Sequence, residues 1–372
     1  MACRPSASST RSITWTVSCS SITSAVSSAR CTCASARSSS GRKSSTPSRL
    51  RWCEALTAPG LRIAFFGTPE FAVRTLERLI QSRHPVVAVV SQPDRRRGRG
   101  RRSSPSPVSE VALREVIPLL CPEQLEDAAV EAALRDTSPD LGVVVAFGQF
   151  IPKRIRELPR LGYCINGHAS LLPRWRGAAP IARAILAGDE VTGVSVMRVE
   201  KEMDAGAVAL QRGLAIGPGE TAGELTARIA ALTAELVTEA VEKIEAIDIV
   251  WTDQDPSGVT EAPKLERDDA RIDWNEPADA LVRRVRAMAP NPGAFSKLEG
   301  KALRILACTR EDGPADAAPG TVRNKPGLPL AIATGDGWLV PNVIQRAGGK
   351  AMEIDAFLRG RAVPDGVRLG DG

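Results

Sequence analysis

At 372 residues, 43% of them hydrophobic and 25% charged, the chain is too long for one ordinary domain and suits two, and it contains no apolar run near the roughly eighteen residues of a membrane-spanning helix. Its net charge of +6 is uneven: residues 1–60 hold eight Lys or Arg against one Glu, which leaves 41 basic and 42 acidic residues in the rest. The body is therefore nearly neutral, which excludes a general polyanion-binding surface there and makes any nucleic-acid contact local.

Residues 1–60 contain seventeen serines, no acid before Glu54, and five of the eight cysteines, Cys3, Cys19, Cys31, Cys33 and Cys53. No periodicity marks a helix or strand. The segment reads as a disordered leader outside the fold, either a mis-assigned start or a transit peptide. A cytoplasmic setting is expected, or an organellar one if the transit peptide is genuine. Cys121, Cys164 and Cys308 are dispersed through the body, as reduced cytosolic thiols are. Cys31 and Cys33 stand one residue apart with no histidine near. That spacing is wrong for a zinc site, and no metal is expected.

From residue 62 the pattern sharpens. Residues 62–66 read as a buried strand, Gly67-Thr68-Pro69 as a tight turn, 69–81 as a helix with Pro in its first turn, and 85–91 as a second strand. Strand, turn, helix and strand in about thirty residues imply a Rossmann-type parallel sheet. His84, at a strand entry, reads as a surface residue. The first turn lacks Gly-x-Gly-x-x-Gly, which speaks against a dinucleotide site. Arg95, Arg96, Arg97, Arg99, Arg101 and Arg102 follow, broken by Gly98 and Gly100. Six guanidinium groups that close repel one another in a compact element, so a flexible loop that meets phosphates is expected. Further strands are read at 116–120 and 141–146 around a helix over 123–135, then a helix over 178–186 and a strand over 192–199. An Ala-rich helix over 222–247 closes a first domain of residues 61–250.

Residues 251–263 are polar and read as a linker. Over 264–372, a helix at 278–288 precedes short strands at 294–298, 301–308, 330–334 and 337–344. Many short strands between Gly and Pro turns suggest a small β-barrel. The last dozen residues read as frayed.

The chemistry concentrates at Asn166-Gly167-His168, after the apolar run 161–165. Residues i and i+2 of a strand point to one side, so Asn166 and His168 can present an amide donor and an imidazole to one spot. Acyl transfer needs a donor for the oxyanion and a group that handles a proton near neutral pH. The run continues Ala169-Ser170-Leu171-Leu172-Pro173-Arg174-Trp175-Arg176-Gly177-Ala178-Ala179-Pro180-Ile181. As a whole it closely resembles the signature of the folate-dependent formyltransferases. Arg62-Ile63-Ala64-Phe65-Phe66-Gly67-Thr68-Pro69-Glu70-Phe71-Ala72, Gln92-Pro93-Asp94 with the arginine cluster and Pro105-Ser106-Pro107-Val108, and Ala270-Arg271-Ile272-Asp273-Trp274 with Asn291-Pro292-Gly293-Ala294-Phe295 resemble the branch acting on methionyl-tRNA. The resemblance spans roughly 61–358.

That resemblance implies a Rossmann-like formyltransferase domain followed by a small OB-like barrel that contacts tRNA. It implies 10-formyltetrahydrofolate as co-substrate, initiator methionyl-tRNA as partner, and catalysis by Asn166, His168 and Asp204 of Met203-Asp204-Ala205-Gly206. It further implies a folate-binding turn at Ser170, Leu171, Leu172 and Pro173, a methionyl pocket at Phe71, and tRNA contacts from the arginine cluster. A monomer without membrane attachment is expected. Gly167 departs from the family, which usually has a larger residue there; its side chain should point away from the site. Two other readings remain: a formyltransferase for another amine, such as a nucleotide or sugar-nucleotide, and an inactive tRNA-binding homologue.

Overall fold

A computed structural model of the chain describes residues 60–97 and 102–370. The leader expected over 1–60 lies outside them except for Gly60, as do Arg99 and Arg101 of the arginine cluster.

The first strand, β1 (Ile63–Gly67), is buried along its whole length, as a strand covered on both faces must be. It leads into α1 (Glu70–Ile80), which buries Ala72, Val73, Leu76 and Leu79 at helical spacing. β2 (Val86–Val90) follows. Within the arginine cluster, where a loop was expected, β3 (Arg95–Arg97) and β4 (Arg102–Ser104) pair antiparallel. α2 (Pro107–Arg114) was not legible as a helix, although Ser106 caps it by accepting from Ser109 N–H and Pro107 opens it. The strand expected over 116–120 shrinks to β5 (Leu119–Leu120); Val116 has φ +56° and ends the helical turn. α3 (Ala128–Asp136), β6 (Leu141–Val145), the short α4 (Lys153–Arg156) and β7 (Cys164–His168) complete the wound part.

After the signature, with its two-residue β8 (Arg176–Gly177) and α5 (Pro180–Ala187), come β9 (Val191–Arg198) and β10 (Val208–Ala215). The sheet has seven strands in the order β10-β9-β7-β6-β1-β2-β5. From β7 to β5 every neighbouring pair is parallel, while β9 and β10 run antiparallel. The Rossmann-like reading thus stands, with an antiparallel hairpin added at one edge. α6 (Ala222–Glu245) opens with a reciprocal cap between Thr221 and Glu224 and lays Leu225, Ile229, Leu236, Val237 and Val241 into the core.

Beyond it, α7 (Ala278–Met288) packs on α5 and on the second sheet. That sheet is antiparallel, in the order β12 (Ala294–Leu298), β13 (Lys301–Glu311), β16 (Trp338–Arg346), β15 (Ala331–Ala333) and β14 (Val322–Arg323), with β17 (Ala351–Glu353) also on β16. Leu298, Leu303, Val322, Ile332 and Ile344 come from five of its strands and line one apolar interior with Phe357 of α8 (Ile354–Gly360). Such convergence is what a small barrel-like sheet requires. The last residues are not frayed up to residue 370. Val363 and Leu369 are buried, and Leu369 N–H donates to Gly320 at 2.8 Å. The tail covers an end of the barrel core that would otherwise meet water.

His84 also departs from its reading as a surface residue. It is buried, and its Nδ1 accepts from Leu61 N–H at 3.0 Å. The ring proton therefore sits on Nε2, which is buried without a hydrogen-bond partner. Burial lowers its pKa below the ordinary 6.5; Arg83 pushes the same way, and Glu245 and Glu242 oppose. A depressed histidine pKa means that below about 6.5 the unfolded chain binds a proton the folded chain refuses, so stability falls as pH falls. The denaturation midpoint should drop between pH 7.5 and 5.5, and by less in His84→Leu. An equal drop in both proteins would remove His84 as the cause.

Candidate active site

β7 carries the central pair. Asn166 and His168 share one face of the strand, and Gly167 points to the other. A Cβ on Gly167 would lie 2.7 Å from Thr233 Cγ2 and 2.8 Å from Val237 Cγ2, both on α6. The opposite face is covered by the loop joining β9 to β10, which contains Asp204. One carboxylate oxygen of Asp204 accepts from Asn166 Nδ2 at 3.5 Å. The other lies 3.5 Å from His168 Nδ1 and accepts from Gly177 N–H at 2.9 Å. The three side chains named from sequence therefore converge on one point.

The tautomer of His168 follows from its other nitrogen. Nε2 lies 2.9 Å from the Trp175 carbonyl, which can only accept, so Nε2 carries the proton. Nδ1 is then the nitrogen without a proton, and it faces the Asp204 carboxylate. Trp175 makes this possible through its backbone. Its φ of +64° is rare for a bulky side chain. The surroundings hold it there: its N–H donates to Thr260 Oγ1 at 2.9 Å, its indole N–H to Asp189 at 2.7 Å, and Arg174 lies over its ring at 4.4 Å. Burial works to raise the Asp189 pKa, but hydrogen bonds from Arg174 and Trp175 outweigh it and hold the carboxyl below its ordinary range. That carboxylate stays charged and keeps the loop braced.

The turn read as folate-binding is itself a hydrogen-bonded frame. Ser170 Oγ donates to the Arg174 carbonyl at 2.6 Å. Ser195 Oγ accepts from Leu172 N–H at 2.9 Å and donates to the Ser170 carbonyl at 2.7 Å, and Gln211 donates to the Leu172 carbonyl at 2.7 Å. Leu172 is buried, Leu171 packs over Gly193 and Pro173 over Gly258. The loop after β6 adjoins the same end of the sheet, because β6 pairs with β7 up to Asn166. Thr68 Oγ1 at 3.0 Å and Gln92 Nε2 at 2.9 Å both donate to its Phe147 carbonyl. Phe150 on that loop and Met203 beside Asp204 are exposed apolar side chains. A surface cleft of about 680 Å³ between Leu120 and Val130 contains none of the site residues. Among the described residues, no cluster of three or more His, Cys, Asp or Glu is placed to hold a metal, and no helix is long and apolar enough to cross a membrane.

Against known proteins, residues 61–241 match the family model described as formyl transferase, and residues 264–362 match that of the formyl transferase C-terminal domain. Methionyl-tRNA formyltransferase from Pseudomonas fluorescens is 45% identical over 306 residues, covering 82% of this chain and 95% of that protein. The chain belongs to the methionyl-tRNA formyltransferase family. The family's protein from Methylococcus capsulatus is likewise 45% identical, over 83% of this chain and 100% of its own length. The fold is shared with HypX from Aquifex aeolicus in complex with tetrahydrofolic acid, at TM-score 0.57 and 20% identity, over 82% of this chain and 48% of that one. It is also shared with an N-formyltransferase from Helicobacter canadensis in complex with folinic acid and dTDP-3-aminofucose, at TM-score 0.56 and 15% identity, over 77% and 99%.

Within this member of the family, Phe71 lies near the start of α1, half-buried against the core. Arg95, Arg96, Arg97 and Arg102 belong to the β3–β4 hairpin. Phe71 is not among the hydrogen-bond or ion-pair partners of Asn166, His168 and Asp204. Trp175, Thr260 and Gln254 were missed from sequence; the first acts through its carbonyl, and the others lie in the segment read as a linker.

Proposed function

We propose that this chain transfers the formyl group of 10-formyltetrahydrofolate to the α-amino group of initiator methionyl-tRNA, with Asn166, His168 and Asp204 as catalytic residues. One observation carries the assignment of roles: a single carboxylate, Asp204, touches both the Asn166 amide and His168 Nδ1. In the reaction the amine nitrogen bonds to the formyl carbon, which becomes tetrahedral, and its oxygen takes negative charge. The second N–H of Asn166 stabilises that oxygen, a contribution of about 3 kcal/mol for such a donor. His168 Nδ1 takes the amine proton while Asp204 offsets the imidazolium charge. The bond from carbon to the folate nitrogen then breaks, and the proton passes to that nitrogen.

Ser170, Leu171, Leu172 and Pro173, together with the exposed Phe150, supply a frame for the flat donor. Phe71 sits against the methionyl side chain. Residues 61–250 form the catalytic domain, 251–263 connect, and 264–372 join the β3–β4 arginines in holding tRNA. The protein acts as a monomer in the cytoplasm.

The test is an assay with labelled 10-formyltetrahydrofolate, offering charged initiator methionyl-tRNA beside an amino-sugar nucleotide and a nucleotide amine. Label should appear on the methionyl-tRNA. Transfer to another amine alone would overturn the assignment of acceptor. Replacing the six cluster arginines by alanine should raise KM for tRNA and flatten its salt dependence, by about 0.7 of a log–log unit for each single-strand phosphate no longer neutralised. An unchanged salt slope would show that the hairpin does not meet RNA.

A further inference from the structure

The segment 251–263 does more than connect the two sheets. Gln254 Nε2 donates to the carbonyls of Asp204 and Gly206, each at 2.8 Å. Its Oε1 accepts from Arg176 Nε at 3.0 Å and Nη2 at 2.8 Å. A primary amide has two N–H donors and an oxygen with two lone pairs, so all four of its positions are filled, and a carboxylate of the same size cannot supply the two donors.

The groups it joins are those that set the Asp204 carboxylate. Asp204 has φ +52°, a sparsely populated conformation for a residue with a side chain. Two residues on, a Cβ at Gly206 would lie 2.0 Å from the Arg198 carbonyl, so the backbone passes there in close contact. The amide of Gln254 pins the carbonyls on both sides of Ala205. Through Arg176 it also ties down the residue before Gly177, whose N–H holds the Asp204 carboxylate. One side chain thus bridges the backbone that carries Asp204 and the backbone that hydrogen-bonds it.

The segment is anchored on both sides of Gln254. Trp251 packs edge-on to Tyr163 at 5.8 Å, with Arg198 4.6 Å from its ring, and Thr252 exchanges hydrogen bonds with Val208 at 2.8 and 2.9 Å. Further along, the Thr260 carbonyl accepts from Arg176 N–H at 2.9 Å, and β11 (Glu261–Ala262) pairs with β8. Gln254 is therefore presented from a fixed backbone.

We infer that Gln254 is a positioning residue for formyl transfer: it fixes the Asp204 carboxylate against Asn166 and His168, which makes the segment between the two sheets part of the catalytic apparatus. This rests on the role given to Asp204 above. Gln254→Ala should lower kcat about ten- to a hundredfold, the scale of a displaced catalytic group, with KM for the formyl donor and for methionyl-tRNA within about threefold. Gln254→Glu keeps the length and the Arg176 contact but has neither donor, and its kcat should fall as far. If Gln254→Ala fails to fold, the isosteric Gln254→Glu carries the test. A Gln254→Glu enzyme with wild-type kcat overturns the inference, as does a Gln254→Ala defect that appears in KM alone. Asp204→Asn, measured alongside, separates two failures. If it keeps wild-type kcat, the role of Asp204 falls and the inference with it. If it is impaired while both Gln254 variants are not, only the inference falls.

Discussion

His168→Ala should reduce kcat for formyl transfer by about a thousandfold, within the range for loss of a positioned acid–base group, while leaving methionyl-tRNA affinity nearly unchanged. In the proposed mechanism the ring is the proton acceptor: Nε2 is committed to the Trp175 carbonyl, and Nδ1 faces Asp204 at 3.5 Å. It is buried on β7. Asn166→Ala should cost less, about a hundredfold, because it removes one oxyanion donor. Adding Asn166→Ala to His168→Ala should cost less than the product of the two, since both act on one tetrahedral species. A His168→Ala enzyme that loses tRNA binding in proportion to kcat would mean that the ring shapes the tRNA surface rather than the chemistry.

The pair at 166 and 168 was legible because strand periodicity is local. An apolar run followed by Asn-x-His puts both side chains on one face, whatever the rest of the chain does. Asp204 was legible only through resemblance: in isolation it is a turn residue before a glycine. Trp175 and Gln254 were not legible. Trp175 contributes a carbonyl, and any residue has one. What singles it out is a positive φ, which the sequence does not display in a tryptophan. Gln254 acts across 48 or more residues of chain, in a stretch whose polarity and Pro-Ser-Gly composition are those of an exposed connection. Composition alone does not distinguish a segment that spans solvent from one that pairs with a signature loop.

The fold divides along the same line. β1, β6 and α7 emerge from sequence because their burial and helical or strand periods are self-contained. β10 was passed over: its residues are mostly half-buried or exposed, and it is a strand because β9 offers it a partner. His84 reads as a surface group by type. It is buried because its Nδ1 receives the Leu61 N–H, a contact across 23 residues.

Gly167→Val, which puts a larger side chain at this position, should destabilise this chain by about 1–3 kcal/mol, the usual penalty for overpacking a closed core. The resemblance read from the sequence implies a larger residue here, so sequence alone suggests a harmless change. The packing says otherwise. A Cβ alone would meet Thr233 Cγ2 at 2.7 Å and Val237 Cγ2 at 2.8 Å. Both neighbours are β-branched and stiff about χ1. Thr233 is held further by its hydroxyl, which donates to the Ile229 carbonyl at 2.8 Å. α6 has therefore settled against a glycine, and neither side chain can swing away cheaply. Combining Gly167→Val with Thr233→Ala and Val237→Ala should recover much of the stability, because the new methyls refill the space the others vacate; contacting residues couple by about 0.5–3 kcal/mol. Turnover of the folded Gly167→Val enzyme should stay near wild type, since the added side chain faces α6 and not Asp204. Denaturation midpoints of the single and combined variants give the first result, and kcat per folded enzyme the second. Strictly additive midpoints would mean that β7 and α6 are not in tight contact here. A collapse of kcat with the fold intact would mean that position 167 turns toward the site.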